Sequence, residues 1–547
     1  MTLKDDLLRK GFFPDNLPPA FTTELIADYY LANPVRGYLS DARRTTRAAI
    51  YNASKRGLTR RTFSAVHPST GYDLAEFVSS RWDEITDFFG VPSIGFSLPL
   101  HDGTGDRAIT INSHASLERE KLRRLSGYRF VACTDIARFY HSVYTHSLPW
   151  AFHGKSVSKA DRRPQSAQVF LNRADWIFRS GQDGQTIGLP VGPDASRVFA
   201  EIIASAIDRS FEQNLDGLDC TTLRHVDDIW IGAKTQSDAE RALSRYREAI
   251  REYELDINDG KTGIFSENLR FADYWPSEIA SQIDTALNPG SLSRTLERLR
   301  ATLENVFAYA ASRGDDAVLK YVLRYLDQNR LNDVYWDAVE PFLKRVAVHF
   351  GHTIDYVARI LVWRHLTHGD LDRDAWASVL NGILDQHGRL GNDSEVCWVL
   401  YTQHHLQLAA PNESAIRIAN NCGALSVVAL LNNQVQVSDS HDADTALVFE
   451  TALDRLAGES AAGRLWPLFL EWKVKRWTGH TRLDVSDATI ADLIEGGVHI
   501  YQPEILPPVF RDADPDEFDQ VGSAIELRSS AYDDPVPPDE DDDLSIF

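Results

Sequence analysis

A small α+β sheet domain followed by an all-α domain is the fold class this sequence predicts. Three observations carry it. Strand-like apolar runs alternate with helical patterns between residues 127 and 265. Beyond about residue 285 leucines recur at helical spacing and strand signals nearly vanish. The chain has 547 residues, against roughly 150 for a typical domain, so one core cannot serve all of it.

The elements follow in order. Residues 7 to 62 read as loop and helix, opening on the turn-rich FFPDNLPPAF. Residues 94 to 112, IGFSLPLHDGTGDRAITIN, read as a hairpin, with two apolar runs about an Asp/Gly turn. Residues 116 to 126 form a charged helix. YRFVACTDI is then a buried strand that delivers Asp135 at its end. A helix over 194 to 213 places Val198, Ile202, Ala206 and Ile207 on one side. TTLRHVDDIWIGA is a hairpin turning at Asp227 and Asp228, followed by an amphipathic helix over 238 to 253 and the strand-like turn region LDINDGKTGIF. Helices are expected from Leu292 to Leu303 and near 316–327, 334–349, 353–366, 373–386, 393–409 and 414–432. Short helices with short connections suggest an irregular α-solenoid of HEAT-like kind, without a strict sequence period.

Composition excludes wholesale disorder, with 43% apolar and 25% charged residues. Four cysteines (Cys133, Cys220, Cys397, Cys422) form no C-x-x-C pair and read as buried thiols of a reducing cytosol. The opening MTLKDDLLRK is charged where a signal peptide is apolar, and no stretch nears the roughly 18 apolar residues of a membrane span, so a cytoplasmic protein without a membrane partner is expected. The net charge of −22 argues at first against nucleic acid. Half of that excess, however, sits in residues 511–547, a Pro/Asp-rich segment of disordered composition with thirteen acids against two arginines. Residues 36 to 61 hold eight basic side chains against Asp41 alone. Arg43, Arg44, Arg47, Lys55, Arg56, Arg60 and Arg61 are therefore candidates for phosphate-backbone contact, with a solvated face as the plain alternative.

Paired aspartates occur several times, but only Asp227–Asp228 lies between two β runs. Two carboxylates pressed into a hairpin turn repel and resist desolvation, so they need cations or a third partner. With Asp135 they make a candidate cage for two Mg²⁺ ions, Mn²⁺ being an alternative. Taken singly, a strand-end cap and an ordinary turn explain these residues as well.

Order and spacing add to this. TDIARFY, GLPVGPDASR, HVDD and NDGKTG occur in that succession, and this resembles the palm of a reverse transcriptase over roughly residues 90 to 280. The resemblance implies a right-hand polymerase that adds deoxynucleoside triphosphates to a DNA product, with an RNA template left open. In it Asp135, Asp227 and the backbone of Ile136 face the metals, and Asp228 completes the acidic cluster. It also implies Tyr140 beneath the incoming sugar, Arg107 on the triphosphate, Lys261 as a pyrophosphate acid, and Gly188, Pro190, Gly192 and Ser196 as nucleotide and template support. Structural alternatives stand beside these roles: core packing for Tyr140, an exposed arginine for Arg107, a turn lysine for Lys261. Val191, Arg197 and His225 depart from the retroviral pattern, leaving metal chemistry intact but ordinary template and primer handling in doubt.

Those departures, YTHSLPWAFHGK, KGFFPDNLPPAFTTE and the appended helices together resemble the bacterial abortive-infection and defence-associated reverse transcriptases over most of residues 8 to 430. That resemblance implies anti-phage defence, template-independent synthesis primed on a protein tyrosine, and a homo-oligomer, with a phage-encoded protein as a further partner. Tyr29, Tyr30 and Tyr38 are priming candidates no better placed than others. The organisation expected is an N-terminal region with fingers (1–126), palm (127–284), helical repeats (285–510) and acidic tail (511–547). A conventional RNA-templated enzyme of retron or mobile-intron type, and a catalytically silent scaffold, are the competing readings. HGKS at 153–156 is no nucleotide-binding P-loop, because Pro149 stands where its first glycine belongs. His404 and His405 are adjacent, about 100° apart on a helix, and do not read as a metal pair.

Overall fold

The computed structural model describes residues 2–42, 45–55, 59–90, 94–266, 275–288, 290–437 and 443–508. Arg43, Arg44, Arg56 and the acidic tail lie outside them.

Among the described residues six strands build two sheets. β1 (Ala49–Ser54) and β2 (Arg60–Ala65) form an antiparallel hairpin. β3 (Phe130–Thr134), β4 (Cys220–His225), β5 (Asp228–Ala233) and β6 (Gly263–Phe265) form an antiparallel sheet ordered β4-β5-β3-β6. The strand–helix–hairpin–helix–strand order read from residues 127–265 is therefore the order found.

The sheet is covered on both faces, as period-2 alternation dictates. Ala132, Ile229, Ile231 and Ala233 join the main core with the helices Asp194–Gln213 and Gln236–Arg251. Val131, Leu223 and Trp230 form a smaller cluster with Leu117 and Leu125 of the helix His114–Leu125.

Two expectations are corrected. Residues 94–112 form no strand ladder: Leu100 and Thr110 exchange two backbone hydrogen bonds (2.9 Å each) in a single antiparallel bridge, and Gly95 bridges separately to Arg224. Pro99 has no N–H for a ladder, and the Asp102 carboxylate instead takes the N–H groups of Thr104 (2.9 Å) and Gly105 (3.3 Å) in a local turn. Conversely, residues 7 to 62 were expected to hold only loop and helix, yet they contain β1 and the start of β2. The buried positions of β1 are Ala49, Tyr51 and Ala53. Two small alanines give a weak apolar signal.

The C-terminal part is helical, beginning with Leu292–Arg313, Ala317–Gln328, Trp336–His349 and Ile354–Thr367. Arg373–Leu390, Asp393–His405, Asn412–Asn421, Ala424–Val437, Ala443–Asp454, Trp466–Val474 and Ala488–Glu495 follow. From Ile354–Thr367 to Trp466–Val474 each helix packs on the next but one. Gly314 (φ 61°) and Gly391 (φ 65°) end two of these helices in left-handed backbone.

The helical region folds back onto the N-terminal half. Arg60 forms a two-pronged ion pair with buried Glu395 (2.8 Å each), and Asn52 donates to Asp393 (2.8 Å) and to the Gly391 carbonyl (2.7 Å). His352 Nδ1 lies 2.8 Å from the Ser54 carbonyl oxygen, and Trp466 Nε1 donates to Ala65 at 3.2 Å. The β1–β2 hairpin is thereby clamped to the helices. No helix among the described residues is long and apolar enough to cross a membrane.

Candidate active site

Asp135 directly follows β3, and Asp227 occupies the two-residue turn joining β4 to β5, where His225 pairs with Asp228. The neighbouring backbones touch, with the Ile136 N–H donating to the Asp227 carbonyl at 3.3 Å. Ile136 is fully buried, and its bridge to Ile257 brings in the NDGKTG turn. From that turn Lys261 reaches Asp135 Oδ2 at 3.0 Å. The fold thus gathers Asp135, Ile136, Asp227 and Lys261.

Asp135 is buried, and its Oδ1 has no hydrogen-bond partner. Burial and then the Asp135 charge push Asp227 up to about 6, against the opposing charges of Lys261 and Arg61. Burial, then Asp227 and Asp135, raise Asp228 further. Asp228 begins β5 on the face that carries Trp230, where the Lys121 ammonium sits 3.7 Å from the indole centroid and acts on Asp228 as well. Among the described residues no three carboxylate, imidazole or thiolate side chains stand as a ready-made metal cage. Consecutive residues at a strand start diverge, and Asp135 turns one oxygen to Lys261.

The turn is held from behind. Val226 has φ 54°, a costly left-handed conformation for a β-branched residue. Its N–H donates to Ser97 Oγ at 2.7 Å, and its carbonyl accepts from Arg224 Nη1 at 2.9 Å. Arg224 is fully buried and also ion-paired with Glu201 (2.5 Å) and Asp208 (2.8 Å). The sequence reading missed this residue. A lone arginine inside the β run TTLRH was the available signal.

Gly188, Pro190 and Gly192 form a buried loop tied to its surroundings by backbone hydrogen bonds. Gly188 N donates to Val143 (2.8 Å), Leu189 N to Tyr140 (2.7 Å), and the Val191 carbonyl accepts from Ser64 on β2 (2.8 Å). Gly192 (φ 125°) lies against Pro14, where an added Cβ would come within 2.7 Å of the ring. Tyr140 is buried with its ring edge-on to Phe139. Ser196 is fully buried, and its Oγ has no partner.

Arg107 is engaged by groups of the protein itself. Its guanidinium binds buried Asp194 (2.6 Å) and the carbonyls of Phe13 (2.9 Å) and Gly192 (3.1 Å). The arginine whose charge acts on Asp227 is Arg61, on β2. Among the described residues of the basic stretch, Arg60 is held by Glu395 and Arg47 by Asp183. Further along the chain Lys155, Arg163, Arg173 and Arg179 each have a carboxylate partner.

Residues 73–276 match the family model for reverse transcriptase (RNA-dependent DNA polymerase). No curated protein sequence matches the chain. Similar solved structures include telomerase from Candida albicans in complex with a TWJ fragment of telomeric RNA (12% identity, 63% of this chain and 66% of that one, TM-score 0.26). Apo telomerase from Candida tropicalis (12%, 78% and 71%, 0.31) and its complex with the TWJ fragment of telomeric RNA (10%, 75% and 64%, 0.29) are two more. This chain therefore spans just under two thirds of the Candida albicans chain it matches. Residues 73–276 are thus matched as a reverse-transcriptase domain.

Proposed function

We propose that the chain joins deoxynucleotides through Asp135 and Asp227, with Mg²⁺ as the resident ion. The observation that carries this is the joining of the two aspartate-bearing segments at the Ile136–Asp227 backbone contact. The residues fit a divalent ion. Asp135 Oδ1 is buried without a partner, and the mutual load on Asp227 and Asp228 is what a cation relieves. Mg²⁺ characteristically uses one or two carboxylates plus substrate phosphates, so it does not require a three-residue cage. When bound, it lowers the pKa of the attacking hydroxyl and neutralises the leaving pyrophosphate. Asp135 and Asp227 would hold it, with Asp228 adding negative potential from the adjacent position.

This chain's own groups then act on the substrate. The 3′-hydroxyl, giving up its proton to water, attacks the α-phosphorus of a deoxynucleoside triphosphate, forming one P–O bond as the bond to pyrophosphate breaks. Lys261, beside Asp135, would give a proton to the departing pyrophosphate, and Arg61 would offset its charge. Tyr140 would set the sugar's position, and the Gly188–Gly192 loop would support it through Tyr140 and β2.

The biological setting proposed is bacterial anti-phage defence, with synthesis that needs no template, starts on a tyrosine and runs in a homo-oligomer. Its support is the motif resemblance together with the three departures, all of which are buried. Val191 packs in the core, Arg197 donates to the Ile109 carbonyl (3.2 Å), and His225 lies against the His114 ring. Among the N-terminal tyrosines Tyr30 is buried, while Tyr29 and Tyr38 are half-buried. We read the helical region as an irregular HEAT-like solenoid, on its next-but-one packing. Incubating purified protein with each labelled deoxynucleotide and Mg²⁺, with and without RNA, tests this reading. Polymer formed without RNA and attached to protein supports it; synthesis that requires and copies RNA transfers the chain to the conventional class.

A further inference from the structure

The NDGKTG turn that carries Lys261 is stitched to β3 along its backbone. Ile257 bridges to Ile136, the Asn258 N–H donates to the Asp135 carbonyl at 3.0 Å, and Gly263 pairs with Cys133. Between these contacts stands a pair of hydroxyls. Thr134 Oγ1, on the last residue of β3, lies 2.7 Å from Thr262 Oγ1, and Thr262 Oγ1 lies 2.7 Å from the Asn258 carbonyl oxygen. A carbonyl only accepts and a hydroxyl has a single proton, so Thr262 donates to Asn258 and accepts from Thr134. The Asn258 carbonyl also takes the Lys261 N–H (3.1 Å), which fills its two lone pairs and closes the short turn Asp259–Lys261. A directed chain of bonds thus runs from the residue before Asp135 to the turn whose ammonium reaches Asp135 Oδ2. Thr134 is buried and Thr262 half-buried. Packing alone would be met by valine, which has the same shape; what the hydroxyl pair adds is a fixed direction for the turn.

We infer that Thr262, oriented by Thr134, is a positioning residue that sets the Lys261 ammonium beside Asp135 for proton delivery to the departing pyrophosphate. A proton donor has to come within about 2.6–3.2 Å of the atom it serves, or reach it through one water. Lysine carries its ammonium on a flexible stem, so a turn that drifts loses that reach. Neither threonine touches substrate; both act through Lys261. Proton delivery rests on the polymerase reading, whereas the placing of Lys261 by the two hydroxyls does not.

The test is a double-mutant cycle on the full chain, read as the rate of labelled deoxynucleotide incorporation over a range of nucleotide concentration. Thr262→Val should lower kcat roughly tenfold or more and leave KM for the nucleotide nearly unchanged. Thr262→Ser keeps the hydroxyl and should restore most of the rate. In a Lys261→Gln background Thr262→Val should cost less than about twofold further. Equal fold-losses in both backgrounds, in folded chains, overturn the proposal, because the hydroxyl would then act through something other than Lys261. Thr134→Val leaves the Thr262–Asn258 bond in place and takes over the same cycle, with the same two readings, if Thr262→Val does not fold. A second readout needs no synthesis: acetylation by acetic anhydride at one pH, located by mass spectrometry. The threonine variant should speed labelling of Lys261 several-fold, with Lys475, paired to Glu471, as the unchanged reference. Labelling of Lys261 at the wild-type rate overturns the placing of the ammonium. If wild type makes no polymer yet the variant still frees Lys261 for labelling, the positioning stands and the polymerase reading falls.

Discussion

Arg224 donates to the Val226 carbonyl at 2.9 Å, holding from behind the turn that carries Asp227. The same guanidinium is closed in by Glu201 and Asp208, and all three side chains are buried. Removing it would leave two carboxylates in the core without their counter-ion. Arg224→Ala should therefore cost roughly 3–5 kcal/mol, read as a shift in the urea midpoint. Arg224→Lys should recover only part, because an ammonium cannot span Glu201, Asp208 and the carbonyl together.

The Arg60–Glu395 pair makes a second, separable prediction. Glu395→Ala should destabilise the chain by about 1.5–3 kcal/mol, the range for hydrogen bonds to a charged group. Amide exchange over residues 49–54 and 60–65 should rise more than exchange over β3 to β6. Uniform acceleration across both sheets would mean that the hairpin does not depend on the clamp.

Gly192 joins β2, Pro14 and the motif loop at φ 125°. Gly192→Ala would place a methyl 2.7 Å from the Pro14 ring in backbone that alanine avoids. A loss of about 1–3 kcal/mol is expected, measured by thermal unfolding. Gly184→Ala makes the control, since its φ is also positive but no atom stands within 4 Å of an added Cβ.

His405 supplies the pH dependence. Burial, aided by the His404 charge, lowers its pKa from 6.5 to about 4. In that window the unfolded chain binds the proton and the folded chain does not, so stability rises with pH and is lost as pH falls from about 6.5 to about 4. His405→Gln should flatten the stability-versus-pH slope there by up to about one proton. An unchanged slope would show that this imidazole titrates freely in the folded protein.

Much of the β3–β6 sheet and its flanking helices was legible in the sequence because its signals are local. The run FVACT is apolar and ends at an acid, TTLRH and DIWIGA flank a two-residue turn, and the helix Asp194–Gln213 has a continuous apolar side. What was hidden depends on partners far along the chain. Nothing near Arg107 reveals that Asp194, 87 residues on, occupies its guanidinium. Nothing near Arg60 and Arg61 tells that one meets Glu395 while the next acts on Asp227. The alternation of Ala49, Tyr51 and Ala53 was too weak to mark β1.

The central claim is that Asp135 and Asp227 together hold the ion that drives nucleotide transfer. Its most direct test is incorporation of a labelled deoxynucleotide by Asp135→Asn and Asp227→Asn chains at saturating Mg²⁺, with folding checked by thermal unfolding. Each variant should remain folded and lose at least roughly 10³-fold in rate. A folded variant that incorporates nucleotide at the wild-type rate would contradict the account.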